Sequence, residues 1–367
     1  MVKLIWFSST VLLMLLSLTY IFFAWSRGLS VLDLSLFRLR LYSLIGTILL
    51  ASPILLPGKW GRAWMVVLIH ICVFLLLTQL FNFLITHMHA KEFSLWAFLY
   101  RYSLIPLLGT AVLMVYGYFN MSHIIRTEYT ISTNKDIPPS GYTIALIADT
   151  HFENATTLPM IQTMMEQIKV DHPDLILLGG DLVDENTSNK GMKDLFPVLG
   201  SLHPPLGTYY VYGNHDLQHY AASPTFTERE LKDAITSSDI QILADHTVQL
   251  TDTLFIAGRR DRTMGQLPVK DLLIEADPAD YILLLDHQPY DFHLKQEAGA
   301  DLTLSGHTHA GQIFPAGMFT AGDLNYGEKI VDTLTAIVTS GASGWGFPIR
   351  TSKHSEYVII HIVKRNP

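Results

Sequence analysis

The sequence predicts an α/β domain preceded by an all-α bundle of about four membrane-spanning helices. Three observations carry that reading. The 367-residue chain is 49% hydrophobic and only 16% charged. Its charge is split, because residues 1–136 hold ten Lys/Arg against four Asp/Glu while residues 137–367 hold fifteen against twenty-nine. Beyond residue 141, short aliphatic runs alternate with amphipathic segments, the pattern of strands exchanging with helices. Such a composition excludes a disordered chain or a coiled coil. The acidic second half argues against nucleic acid as a partner, since phosphate backbones require a basic footprint. Cys72 is the only cysteine, so no intrachain disulfide can form.

A spanning helix needs about 20 predominantly apolar residues. Residues 4–24 contain no charge and form the first expected span; their length and the missing small-residue cleavage site argue against a removed signal peptide. Residues 41–56 follow Arg38 and Arg40 and stop at Pro57-Gly58-Lys59, residues 63–85 make a third span, and residues 103–119 a fourth. Trp96, Tyr100, Tyr116 and Tyr118 suit interfacial belts. His70, Gln79 and Asn82 in the third span read as interhelical hydrogen-bonding groups. With four spans both termini share a side. Lys3, Lys59, Arg62, Arg126 and Lys135 then face Arg27, Arg38, Arg40, Lys91 and Arg101 across the bilayer. Five against five does not orient the chain. Residues 121–140, ending in Pro138-Pro139-Ser140-Gly141, read as a linker.

Within 141–367, strands are expected at 142–148, 175–178, 208–212, 253–257, 281–285, 302–304, 330–340 and 357–363, with helices at 158–170, 190–199 and 228–237. The tips of these strands carry the chemistry. The first delivers Asp149-Thr150-His151, the second Gly179-Gly180-Asp181, the third Gly213-Asn214-His215-Asp216. Later tips deliver Asp286-His287-Gln288-Pro289 and Gly306-His307-Thr308-His309. Asp, Asn and His are ligands for hard or borderline divalent cations, and α/β sheets gather ligands at the carboxyl ends of their strands. A Gly-Asn-His-Asp quartet is expected by chance in about two of a thousand such chains. An extended Asp-x-His would point both side chains to one face.

The ordered series D-x-H, G-G-D, G-N-H-D, H-Q-P and G-H-T-H resembles the calcineurin-like metallophosphoesterases, especially their bacterial membrane-associated branch, across residues 141–367. The resemblance implies a four-layered α/β/β/α sandwich around two divalent cations, such as Mn, Fe or Zn. It implies Asp149, His151, Asp181 and His309 on one cation, and Asp181, Asn214, His287 and His307 on the other, with Asp181 bridging. It further implies hydrolysis of a phosphate ester or pyrophosphate by in-line attack of a metal-bridging hydroxide. His215 is the expected partner of the leaving oxygen, and Asp216 is expected to orient its ring. Asp286 departs from the small residue expected before His287.

Other residues carry weaker readings. Asp184, in Gly-Gly-Asp-Leu-Val-Asp-Glu, reads as a helix N-cap, with outer support of the metal ligands as the alternative. Arg259-Arg260-Asp261-Arg262 reads as a solvated turn pairing with acids, or as a clamp for a second phosphate or a lipid headgroup. The Ser343–Pro348 loop either closes the sheet or shapes a pocket. The expected protein is therefore a multi-pass membrane phosphoesterase, with membrane lipids and a phosphate-ester substrate as partners, a lipid-linked ester being one candidate. The alternative is a membrane scaffold or sensor that uses a non-catalytic version of the fold for binding.

Overall fold

The computed structural model describes residues 2–88, 94–315 and 322–365, without the side chains of residues 2–11 and 13. The first part of the expected span 4–24, and Lys91, lie outside the described side chains. The chain divides into two compact units, residues 1–117 and 118–367.

The first unit is helical. Helix α1 covers Val2–Leu29, α2 Leu36–Ala51 with a 3₁₀ turn Ser52–Leu55, α3 Lys59–His87, α4 Ser94–Arg101, and α5 begins at Leu104 and ends at Ser122. Three segments, Leu36–Leu55, Lys59–His87 and Leu104–Ser122, are long and apolar enough to cross a membrane. The described part of α1, Met14–Leu29, is a shorter apolar helix. Of the polar groups expected to bond between helices, Asn82 does so and His70 instead bonds within α3. His70 Nδ1 meets its own helix at Val66 O, 2.8 Å away, and Trp96 Nε1 donates to Asn82 Oδ1 at 3.0 Å.

The second unit contains twelve strands among the described residues. They are β1 Ile124–Thr133, β2 Tyr142–Ile147, β3 Leu175–Leu178, β4 Thr208–Tyr210, β5 Ile240–Ile242, β6 His246–Thr251, β7 Leu254–Gly258, β8 Tyr281–Leu285, β9 Leu302–Ser305, β10 Gly327–Val331, β11 Leu334–Val338 and β12 Ser355–Lys364. One sheet runs β1-β12-β2-β3-β4-β5 and the other β10-β11-β9-β8-β7-β6. Helices α6 (Leu158–Val170), α7 (Asn189–Leu199) and α8 (Glu228–Thr236) pack on the first sheet; α9 (Val269–Leu272) and α10 (Phe292–Glu297) pack on the second.

Period-2 alternation explains the layers. On β2, Ala145 and Ile147 enter the core against α6 and α7, while Ile144 and Leu146 enter the core between the sheets. On β8, Leu283 and Leu285 face that same inner core, and Ile282 and Leu284 turn to α9 and α10. Both faces of each sheet are covered, which is why these strands read as unbroken aliphatic runs. The result is the four-layered α/β/β/α sandwich.

Two expectations are corrected here. Residues 121–140 are not a linker throughout, because β1 pairs in parallel with β12 over ten residues, from Ile124↔Ser355 to Thr133↔Lys364. The span expected as one strand at 330–340 is a hairpin, β10 and β11, turning at Asp332 with φ +50°.

Candidate metal centre

The carboxyl ends of β2, β3, β8 and β9, with the loop after β4, converge on one buried centre. Asp149, His151 and His309 place one donor atom each within 4.8 Å of one another; Asp181, His287 and His307 do the same beside them. Asp149, His151, Asp181 and His287 are each at most 1% exposed.

The backbone that achieves this is strained. Asp149, His151, Asp181, His307 and His309 all lie in the left-handed region, with φ of +55°, +40°, +52°, +73° and +50°. Extended alternation therefore does not bring Asp149 and His151 together, nor His307 and His309. Each pair converges through tight left-handed turns, a cost of about 1–3 kcal/mol per residue that persists at functional sites when the surroundings enforce it. Two glycines make room. A Cβ on Gly180, whose φ is +86°, would sit 2.6 Å from Gly213 N and 2.9 Å from His287 Nδ1. A Cβ on Gly306 would overlap the Asp149 carboxylate.

Acceptors behind the imidazoles fix which nitrogen faces inward. His287 Nδ1 donates to Gly179 O at 2.8 Å, and His309 Nδ1 to Ser343 O at 3.1 Å. His151 Nδ1 lies 3.2 Å from Asp184 Oδ2. The two carbonyls hold the proton on Nδ1 of His287 and His309 and leave Nε2 for the centre, the usual outer support of a ligating histidine, while Asp184 stands beside His151 Nδ1 as its ion-pair partner. Asp184 is thus not a helix N-cap; Ser188 caps α7 by accepting from Gly191 N.

Inside the centre, groups face one another without satisfying one another. His151 Nε2 and His309 Nε2 are 3.3 Å apart. His287 Nε2 and Asn214 Oδ1 are buried without a hydrogen-bond partner. His287 Nε2 nonetheless lies 3.1 Å from Asp181 Oδ2. Asp181 Oδ1 is occupied by the backbone N–H of His215 at 2.8 Å, so Oδ2 is the oxygen turned toward both groups, 3.9 Å from His151 Nε2. Lone pairs directed at shared points, with buried orphan acceptors, are what a pair of divalent cations would satisfy. The residues fit that group.

The charges agree. Burial raises the Asp149 carboxyl to about 6. Burial also opposes ionisation of Asp181, but His287, His215 and His151 outweigh it and hold that carboxyl well below its usual range. Burial disfavours a charged His151, yet Asp184, Asp181 and Asp149 lift it to about 8. His287 is likewise held well above its ordinary value, with Asp181 overcoming desolvation. Burial, aided by His287, drops His307 to about 4.

His215 stands beside this centre, but Asp216 does not orient it. The Asp216 carboxylate accepts from the backbone N–H groups of Gly213, Asp181, Leu182 and Val183, at 2.6–3.1 Å, and so ties the third strand tip to the second. Glu185 takes the expected role, its oxygens 2.9 and 3.0 Å from His215 Nδ1. Asp184 and Glu185 lie three and four residues after Asp181 in Gly-Gly-Asp-Leu-Val-Asp-Glu, and that proximity was the available signal. The Trp345 and Tyr220 rings lie 5.2 and 5.1 Å from the His215 ring.

The Ser343–Pro348 loop closes onto the centre. Gln312 Nε2 donates to the carbonyls of Trp345, Phe347 and Ile349, and its Oε1 accepts from Trp345 N. The fully buried Arg350 donates to Ser340 O, His354 O and to Ser343 O, the acceptor that also orients His309. Sequence reasoning missed Arg350, which follows the last motif by some forty residues and has no local signature. The 259–262 run is a set of ion pairs, but Arg259 is buried rather than solvated. It meets Asp286 at 3.0 Å, and Lys295 meets the same carboxylate at 2.8 Å. Asp286 is therefore the counter-ion of two buried cations.

Two adjacent sets of metal-ligand side chains, at the strand tips of an α/β/β/α sandwich, define a candidate metal centre of the hydrolase type. Comparison with known sequences agrees. Residues 142–311 match the family model of the calcineurin-like phosphoesterases. An uncharacterized metallophosphoesterase of Helicobacter pylori strain J99 is 31% identical over 61% of this chain and 60% of its own length. YkuE of Bacillus subtilis, likewise described as an uncharacterized metallophosphoesterase, is 31% identical over 54% of this chain and 70% of its own. The UDP-2,3-diacylglucosamine pyrophosphatase LpxG of Chlamydia trachomatis is 25% identical over 47% of this chain and 65% of its own. The chain belongs to the calcineurin-like metallophosphoesterase family. It spans about 60% of the length of the H. pylori relative.

Proposed function

We propose that this chain is a membrane-anchored dimetal phosphoesterase. The observation that carries the proposal is the pair of buried donor sets with Asp181 Oδ2 turned toward both. Asp149, His151, His309 and Asp181 would hold one divalent cation; Asp181, Asn214, His287 and His307 would hold the other. When bound, such a pair supplies charge neutralisation for the phosphoryl oxygens and an activated water for in-line displacement.

The chain's own residues do the rest. Gly179 O, Ser343 O and Asp184 hold three imidazoles in the orientation the centre needs. His215, anchored through Nδ1 to Glu185, presents Nε2 to the leaving oxygen and delivers its proton. Trp345 and Tyr220, 39% and 56% exposed, flank His215 and offer apolar ring faces to the group beyond that oxygen. Those rings, the membrane-length helices and the lipid-directed pyrophosphatase among the relatives support a substrate whose leaving group is lipid-linked.

The test is turnover by the purified full chain in detergent. Loaded with Mn²⁺, it should hydrolyse an aryl phosphate or its diester, and Asp181→Ala should lose at least 100-fold. Equal rates for both proteins would refute the proposal.

A further inference from the structure

The helical unit contains an unassigned cavity. It measures about 550 Å³ and is walled by all four long helices, including Ile21 and Trp25 of α1, Leu50 of α2, Leu75 of α3 and Leu107 of α5. That volume lies in the range of small-molecule and lipid-chain sites, and the walls are hydrocarbon and aromatic. Gly28 and Ser103 belong to its lining, and Arg27 stands at that rim. Its Nη2 donates to Ser103 Oγ at 2.8 Å, and its Cζ sits 3.9 Å from the centre of the Tyr100 ring. Its Nε is buried with no hydrogen-bond partner among the described residues.

Further arginines lie on the neighbouring segments of this unit. Arg38 and Arg40 occupy the first turns of α2, just after the short connection from α1, and Arg101 ends α4. The Arg101 carbonyl would lie 3.6 Å from a Cβ on Gly28, so the end of α4 abuts the end of α1. Asp33 is the only acid among the described residues of this unit, and none of the four arginines makes an ion pair among the described residues. A guanidinium held at two points, on Ser103 Oγ and the Tyr100 ring, is pre-oriented, and the residue is only partly buried, so a phosphate oxygen can reach its remaining donors. Hydrocarbon walls beneath it are arranged for an acyl chain.

We infer that this cavity is a binding site for one anionic phospholipid, its phosphate on Arg27 and an acyl chain in the cavity beside Trp25. The site uses no residue of the metal centre and stands whether or not that centre hydrolyses any given ester.

The experiment uses the full chain in detergent, exposed to equimolar phosphatidylglycerol and phosphatidylcholine and read by native mass spectrometry. One phosphatidylglycerol should stay bound, with at least fivefold preference. Arg27→Gln should bring the ratio close to one, and Arg27→Lys should restore part of it. A second reading keeps the site testable if Arg27→Gln does not accumulate. Phosphatidylglycerol brominated on its acyl chain should quench Trp25, taken as the difference between wild type and Trp25→Phe, at fivefold lower concentration than its phosphatidylcholine counterpart. Equal retention of both headgroups by the wild type, equal quenching, or a preference untouched by Arg27→Gln would each overturn the inference.

Discussion

Asp181 concentrates the electrostatics of the centre. It faces His287 and His151, and in the metal-free protein both imidazoles are raised, His151 to about 8. Near neutral pH these rings therefore carry protons that divalent cations must displace, since metal ligation requires the neutral imidazole. Mn²⁺ affinity should rise as pH climbs through 7 to 8, with roughly one to two protons released per chain. Calorimetry in buffers of different ionisation enthalpy measures this directly; an affinity flat across that interval would contradict it. Glu185 offers a separate test. Glu185→Gln removes the charged anchor of His215 Nδ1 and should lower kcat about 10- to 100-fold with metal content unchanged. Asp216→Asn should instead lower stability, because its carboxylate gathers four backbone N–H groups.

At the scale of elements, the tip of β8 rests on a buried charge cluster. Asp286 is 1% exposed and pairs with the fully buried Lys295 and with Arg259, which hold its carboxyl below the ordinary range against the pull of desolvation. Asp286→Asn leaves the buried Lys295 without its ion-pair partner and Arg259 with only the 3.4 Å contact to Asp291, and should cost about 3–5 kcal/mol in chemical denaturation. The sign with pH follows from the lowered value. The pair's contribution is complete above the ordinary carboxylate pKa of about 4 and disappears as pH falls through the lower native value. The stability gap between wild type and variant should therefore close in strong acid and persist at pH 7. A gap that stays constant into strong acid would argue against the pairing.

Much of this unit could be read in the sequence. Strand-length aliphatic runs such as Leu175–Leu178 and Tyr281–Leu285 name themselves because both faces are buried. The donor residues were visible because each follows such a run. The edge strand β1 was not, since Arg126, Glu128 and Thr130 alternate outward and the segment follows a long apolar helix. Its pairing with β12 joins residues more than 200 positions apart, which no local pattern reports. The left-handed turns at Asp149 and His307 were hidden for a related reason. They are imposed by neighbours such as Gly306 and Gly341, whose missing side chains admit the Asp149 carboxylate.

At the scale of the whole molecule, an apolar, mildly basic helical unit is covalently joined to an acidic sandwich. Three of its helices have membrane length. A chain built this way should partition with membranes, remain there through a high-salt wash, and be released only by detergent. Release by salt alone would contradict the anchoring role of the helices. The central claim, however, is that side chains from five strand tips enclose two cations that share Asp181. Anomalous scattering from crystals of the full chain grown with Mn²⁺ tests it most directly. Two peaks roughly 3.5–4 Å apart are expected, one beside Asp149, His151 and His309 and one beside Asn214, His287 and His307, with Asp181 touching both. Crystals with these side chains in place and no anomalous density between them would contradict the account.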